Sequence, residues 1–322
     1  MTRRAVTIRS AVGAVAAIAV LLGISAMAAG ASGTDRAERP STESSSLSSA
    51  EAVVLGVVEG VTEYLPVSST GHLLITERLM GIGTSGDADK NAADSYTIAI
   101  QIGAIVAVLG IYRRRFVTMI DGVLGRSDEG RSVLMSLLAA FVPAAIIGQI
   151  FGDAIKDRLL SPWPVAAAWL VGGVGILIFV GLQSRLTTSI TSLAQITPRH
   201  ALIIGVAQTV AMWPGVSRSL VTIIAALLMG VAMDVAVEFS FLLGFITLSA
   251  ATVYDLAKHG NEILDQFGVA TPLLGIVVAG VAAFASVKFM ISWLSQRGLA
   301  LFGWYRIAAG IAAGVMILAG TI

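Results

Sequence analysis

The 322-residue chain contains no cysteine. That excludes disulfides, thiol nucleophiles and thiolate metal sites, but identifies no compartment. Charge is scarce too: Asp, Glu, Lys and Arg make up 13% of residues and nearly cancel to a net +1. No basic run therefore points to nucleic acid. What fills the chain is apolar, at 56% of residues and a mean hydropathy of +0.86, the composition of an integral membrane protein. Uncharged runs near 95–112, 133–152, 159–184, 239–254, 266–287 and 307–322 predict helices that cross a hydrocarbon core ~30 Å thick. The runs at 239–254 and 307–322 are short and need Glu238 or Arg306 to complete a span.

Residues 1–50 stand apart from a polytopic part at 51–322. Arg3, Arg4 and Arg9 precede an apolar run from Ala11 to Ala29, and a Ser-rich linker follows from Ser32 to Ser49. Ala26-Met27-Ala28 has the small-x-small form of a cleavage site, so the segment reads equally as a signal or as an extra anchor. Either way its arginines favour a cytoplasmic N-terminus and leave residue 50 outside.

Sliding the chain along itself by 149 residues aligns 52–81 with 201–230 without a gap, with ten of thirty positions identical. The matches include Gly56/Gly205, Ser68/Ser217, Met80/Met229 and Gly81/Gly230, which shared apolar composition does not explain. The reading is a duplication, with repeat 1 at about 51–182 and repeat 2 at about 200–322. Each repeat opens with a short run broken by proline and small polar residues: Ala52–Pro66 then 73–81, and again around Pro214–Ser219. A helix of Ala52–Pro66 would be only ~22 Å long, so each pair predicts a re-entrant hairpin. Three spans follow each hairpin, near 95–112, 133–152 and 163–182, then 238–256, 271–292 and 302–321. Three is odd, so the second repeat must be inverted. Loop charge agrees, with arginines in 113–131 and 183–199 inside and a net acidic loop (Asp255, Lys258, Glu262, Asp265) outside. The fold class predicted is thus an all-α integral membrane protein with an inverted repeat, each half a re-entrant helical hairpin plus three transmembrane helices.

The polar residues of this greasy chain gather in the hairpins. EGVTEYLPVSSTGH at 59–72 places Glu59 and Glu63 four apart on one helix face, where a divalent cation or a shared proton would relieve their repulsion. Ser68, Ser69 and Thr70 lie at the turn, where they can cap the next half-helix or present an anion site. Ser69 is a nucleophile if a base lies near, and His72 is three residues away. His200 and His259 read as loop residues. In the second hairpin Arg218, between Ser217 and Ser219, can pair with Glu59 or Glu63 or hold a phosphate bidentately. Arg306 and Glu238 read as snorkelling or locally paired.

These residues resemble the two signatures of the bacterial undecaprenyl-diphosphate phosphatases of the bacitracin-resistance type: EGVTEYLPVSSTGH, and PGVSRSLVT at 214–222. The likeness covers roughly 50–320, including IAIQIGAIVAV at 98–108, YRRR at 112–115, EFSFLL at 238–243 and the YR at 305–306. It implies a multi-pass hydrolase of the bacterial plasma membrane, its site facing outside, that removes the terminal phosphate of undecaprenyl diphosphate for cell-wall synthesis. It implies catalytic roles for Glu59, Glu63, Ser69, His72 and Arg218, with Mg²⁺ or Ca²⁺ on Glu59 and Glu63. Substrate phosphate contacts are expected from Ser68, Thr70, Ser217, Arg218, Ser219 and Thr222. Which of Ser69 and His72 attacks phosphorus stays open, as does formation of a homodimer. The competing reading is a phosphate-headgroup flippase or ion-coupled transporter, since inverted repeats with broken helices also describe transporters. A type-2 phosphatidic acid phosphatase would need a second catalytic histidine after an SR motif, and His259 is too remote.

Two positions depart from the family pattern. Leu220 follows Ser219 where glycine is usual, and GFITLSA at 244–250 lacks an expected proline. Leu220 reads as tolerated drift, so that Leu220→Gly is expected to cost at most ~1 kcal/mol.

Overall fold

A computed structural model describes residues 47–84 and 86–322. The N-terminal arginines, the apolar run and the Ala26-Met27-Ala28 site lie outside the described residues. Among the described residues the chain is helical, with one isolated bridge between Ile190 and Val231. The helices are α1 (Ser49–Thr62), α2 (Ser69–Met80), α3 (Asp87–Ile111), α4 (Arg113–Val123), α5 (Asp128–Leu159) and α6 (Pro162–Gln183). Then come α7 (Pro198–Gln208), α8 (Arg218–Leu228), α9 (Met233–Phe267), α10 (Ala270–Arg297) and α11 (Ala300–Leu318).

Six of these, α3, α5, α6, α9, α10 and α11, are long and apolar enough to cross a membrane, one for each predicted span. The protein is an all-α, multi-pass membrane protein. The hairpin arms are much shorter. At 14 and 12 residues, α1 and α2 reach about 21 and 18 Å at 1.5 Å per residue, and α7 and α8 are shorter still at 11 each. A reciprocal capping box starts α1: Ser48 Oγ accepts from the Glu51 N–H at 3.2 Å, and the Ser48 N–H donates to Glu51 Oε2 at 2.7 Å. Thr197 and His200 form the same box at α7, where Pro198 takes the first turn. His200 is therefore a helix residue.

Small residues seat the hairpins. α1 lies against α10, where a Cβ on Gly56 would come 2.8 Å from the Gly275 carbonyl oxygen and one on Gly60 would come 2.7 Å from Ala282 Cβ. α7 lies in the same way against α5, with Gly205 backed onto Ala140. Gly56 and Gly205 are the matched pair of the internal alignment, and each lets its half-helix approach a span's backbone closely. The pairing crosses the two halves: the first hairpin rests on a span of the second half, and the second hairpin on a span of the first. Ser286 Oγ bonds the Val61 carbonyl at 2.7 Å, adding a polar tie at the first of these seats.

Several expectations change. The segment with Asp255 and His259 is not a loop, because α9 runs unbroken to Phe267. The arginine-rich segment 113–131 contains the amphipathic α4 and the start of α5, closed by the near contact of Gly122 with Gly130. Glu238 does not pair locally. It accepts from Arg115 of the YRRR run at 2.7 Å, and Arg115 also reaches Glu129 at 3.0 Å, fastening α4 to α9 and α5. Nor does Arg306 snorkel, since it is completely buried.

Candidate active site

Both hairpins break at a serine in the same unusual backbone conformation. Ser68 has φ 74° and ψ 106°, and Ser217 has φ 72° and ψ 112°. They are the only non-glycine residues at positive φ among those described. Such dihedrals are costly for a side-chain-bearing residue and persist where the surroundings enforce them. Here each turn delivers the first residue of a half-helix, Ser69 or Arg218, towards the other hairpin. The Ser217 and Ser219 hydroxyls both donate to the Leu65 carbonyl of the first turn, at 3.4 and 3.0 Å.

Arg306 binds the turns from behind. Its guanidinium donates to the carbonyls of Pro66 (3.4 Å), Ala168 (2.8 Å) and Gly215 (2.8 Å), one from each turn and one from α6. It rests on Gly172, where a Cβ would sit 2.8 Å from its Cζ. Buried charge is expensive unless hydrogen bonds replace its hydration. The Pro66 and Gly215 carbonyls are freed by the helix breaks, so the guanidinium supplies donors that the broken backbone lacks.

At the front of the turns, Ser69 Oγ donates to Glu63 Oε2. Arg218 Nη2 donates to the other oxygen of the same carboxylate at 3.0 Å, with both side chains largely buried. Arg218 Nη1 donates to the Ser240 carbonyl at 3.2 Å, and Cζ stands 5.5 Å from the centre of the Tyr64 ring. Gly244 makes room for the guanidinium, since a Cβ there would lie 2.6 Å from Cζ. Arg218 is thus held by a carboxylate, a carbonyl, an aromatic face and a glycine. A cavity of about 140 Å³ opens beside it, lined by Glu63, Ser68, Ser69, Thr70, Ser217 and Arg218, with Gln101 of α3 and Leu248 of α9.

Glu59 stands one turn behind Glu63, completely buried, and neither carboxylate oxygen has a hydrogen-bond partner. An orphaned carboxylate next to Glu63 fits a bound cation or a proton better than it fits a purely structural role. No group of three or more His, Asp or Glu residues converges among those described. A divalent ion here would take two carboxylates and complete its shell from substrate oxygens, as Mg²⁺ commonly does.

His72 is engaged elsewhere. Its Nδ1 lies 2.6 Å from the Ser68 carbonyl and its Nε2 2.7 Å from the Tyr305 hydroxyl, with the ring stacked on Tyr305 and tilted against Trp169. A carbonyl only accepts, so Nδ1 carries the proton and Nε2 accepts from tyrosine. Both nitrogens are taken, so in this geometry the base within reach of Ser69 is Glu63, and His72 braces the strained Ser68.

Of the expected phosphate contacts, Ser68, Thr70, Ser217 and Arg218 line the cavity. Ser219 and Thr222 do not, being buried in bonds that join the turn to Leu65 and Ser240. Ser217 caps α8 by accepting the Leu220 N–H at 3.3 Å. Leu220 is an ordinary helical residue, 4% exposed in the core, so the reading of it as tolerated drift is corrected. Its counterpart Gly71 must lack a side chain because a Cβ would strike Trp169 at 2.8 Å. α9 runs straight through GFITLSA. Sequence reasoning assigned no site role to Tyr64, Gln101, Trp169, Ser240, Gly244 or Tyr305. Of these, all but Trp169 fall inside quoted segments (EYLP, IAIQIGAIVAV, EFSFLL, GFITLSA and YR), which was the available signal.

The family described as Bacitracin resistance protein BacA matches residues 52–312. The chain is 41% identical over 265 residues to an undecaprenyl-diphosphatase of Sorangium cellulosum, covering 81% of this chain and 83% of that protein. It is 41% identical over 261 residues to undecaprenyl-diphosphatase 2 of Rhodospirillum rubrum, covering 81% and 92%. To an undecaprenyl-diphosphatase of Neisseria meningitidis it is 38% identical over 272 residues, covering 84% and 96%. With both hairpin turns, five of the six spans and most of α11 inside the matched region, the chain belongs to the bacitracin resistance protein BacA family.

Proposed function

We propose that this protein is a membrane hydrolase that converts undecaprenyl diphosphate to undecaprenyl phosphate and inorganic phosphate. The observation that carries the reading is the contact of the Ser69 hydroxyl with Glu63, whose other oxygen is held by Arg218 at 3.0 Å inside a cavity walled by both turns. A nucleophile, its base and a phosphate-binding cation meet there, which translocation alone does not require.

In this mechanism the terminal phosphate enters between Ser69 and Arg218. Glu63 takes the hydroxyl proton as Oγ attacks phosphorus, and the bridging P–O bond breaks to release the lipid monophosphate. Water then attacks the phosphoserine, giving inorganic phosphate and returning a proton to the Ser69 oxygen. Arg218 stabilises charge on the transferring group, held for that role by Ser240, Tyr64 and Gly244. The N-terminal end of α2 adds backbone N–H groups. Where Mg²⁺ or Ca²⁺ is bound, Glu59 and Glu63 would hold it, and it would supply positive charge to the diphosphate oxygens.

The repeat is inverted in this reading, with the hairpins entering from opposite faces of a bacterial plasma membrane and the cavity opening outward. The matched serine turns and the crossed seating of the hairpins support it. All the groups come from one chain, so no second copy is needed. Purified protein in detergent should release phosphate from undecaprenyl diphosphate, and a chelator should suppress the release. Lipid translocation in vesicles without phosphate release would favour the transporter reading instead.

A further inference from the structure

Two residues of the cavity wall belong to neither turn: Gln101 and Leu248, from spans α3 and α9. Gln101 makes no hydrogen bond to any described protein group. The residue is half-buried and borders the open cavity, so its amide is free to bond a group that enters there. Gln101 is also rigidly carried. Its neighbours Ile100 and Ala104 are completely buried, and two residues on, Gly103 brings the α3 backbone against α10, where a Cβ would lie 3.0 Å from Ala279 Cβ. A side chain on so fixed a helix can position a substrate group.

The position of the reaction centre decides which group. The atom under attack must lie next to Ser69 Oγ and Arg218, so the terminal phosphate occupies the turn side of the cavity. The bridging oxygen and the remaining phosphate then lie towards the wall made by Gln101 and Leu248. Leu248 offers an apolar surface beside the amide, matching the passage from phosphate to hydrocarbon. A neutral amide also suits this place chemically. It donates to a phosphate oxygen without a full positive charge, which would retain the monophosphate product.

Building on the proposed reaction, we infer that Gln101 forms the subsite for the lipid-proximal phosphate of a polyprenyl diphosphate, donating from its side-chain amide to a non-bridging oxygen. It grips a group that substrate and product share, so it governs binding more than the chemical step.

The test is steady-state phosphate release by purified full-length protein with undecaprenyl diphosphate, together with inhibition by undecaprenyl phosphate. Gln101→Leu removes the donor, and a lost bond to a charged group predicts a rise in KM of about tenfold or more. The inhibition constant of the monophosphate should weaken by a similar factor, with kcat within about threefold. Gln101→Glu places like charge against the phosphate and should be worse than Leu in both constants. If Gln101→Leu does not fold, Gln101→Asn, which keeps the amide but shortens its reach, should still raise KM and the inhibition constant together. Unchanged KM and product inhibition in a folded variant overturns the subsite, as does a fall in kcat alone. Absence of phosphate release by the wild type would instead overturn the proposed reaction.

Discussion

Gly244→Ala isolates what holding Arg218 is worth. A methyl group there would stand 2.6 Å from Arg218 Cζ and 2.7 Å from Nη2. Carbon contacts are comfortable at 3.5–4.0 Å, so the guanidinium must retreat by about 1 Å. That stretches its bonds to Glu63 (3.0 Å) and the Ser240 carbonyl (3.2 Å) beyond useful range. A charge-assisted hydrogen bond is worth about 1.5–3 kcal/mol. At 1.36 kcal/mol per decade of rate, losing one of them lowers kcat/KM by about 10–100-fold. Folding should hardly suffer. The atoms displaced are the free end of a flexible side chain, and alanine gains about 1 kcal/mol over glycine within a helix. The assay is phosphate release from undecaprenyl diphosphate beside a thermal melt, for Gly244→Ala in wild-type and Arg218→Ala backgrounds. Without the guanidinium the methyl group has nothing to strike, so the second background should show no further loss. Near-normal activity in Gly244→Ala, or an equal loss in both backgrounds, would refute the reasoning.

The other expectations follow from the same contacts. Glu59→Gln should keep or raise thermal stability, because its carboxylate is buried without partners, yet cut turnover at least about tenfold; Glu63→Gln should lose activity more completely, since it serves both Ser69 and Arg218. Phosphate release near normal in both variants would remove the acidic pair from the mechanism. Arg306→Met leaves the Pro66 and Gly215 carbonyls of the turns without their donor and should cost about 2 kcal/mol or more in unfolding free energy, with turnover lost as the two turns part; an active variant of unchanged stability would show that the turns hold themselves. Leu220→Gly should destabilise by about 3–5 kcal/mol, combining lost core packing with poor helix propensity, and a cost under about 1 kcal/mol would return Leu220 to tolerated drift.

Much of the fold was legible because the membrane imposes it. A span needs about twenty apolar residues, so the six long helices were visible as runs and agree with the structure to within a few residues at most ends. The hairpins were legible for the opposite reason, as segments too short and too polar to cross. Legibility ended where contacts depend on partners distant in sequence. Arg306 read as a snorkelling residue because nothing local shows that Pro66 and Gly215 will offer it carbonyls 240 and 91 residues away. Glu238 read as locally paired because its partner Arg115 lies 123 residues upstream. Gly244 carries no chemistry of its own, and its role exists only in the space it leaves for Arg218. His72 shows the reverse case. Three residues from Ser69 it suggests a base, but one turn of helix aims its ring at the Ser68 carbonyl and Tyr305. Glu63, six residues before Ser69, is what the hairpin turns towards the hydroxyl.

The central claim, that Ser69 and Glu63 act as nucleophile and base on a lipid diphosphate, is tested most directly by one comparison. Phosphate release from undecaprenyl diphosphate should be measured for purified wild type, Ser69→Ala and Glu63→Gln at matched protein folding. The account predicts turnover by the wild type and a loss of at least about a hundredfold in each variant, on the scale of removing a nucleophile or its base. A Ser69→Ala protein that releases phosphate at close to the wild-type rate would contradict it.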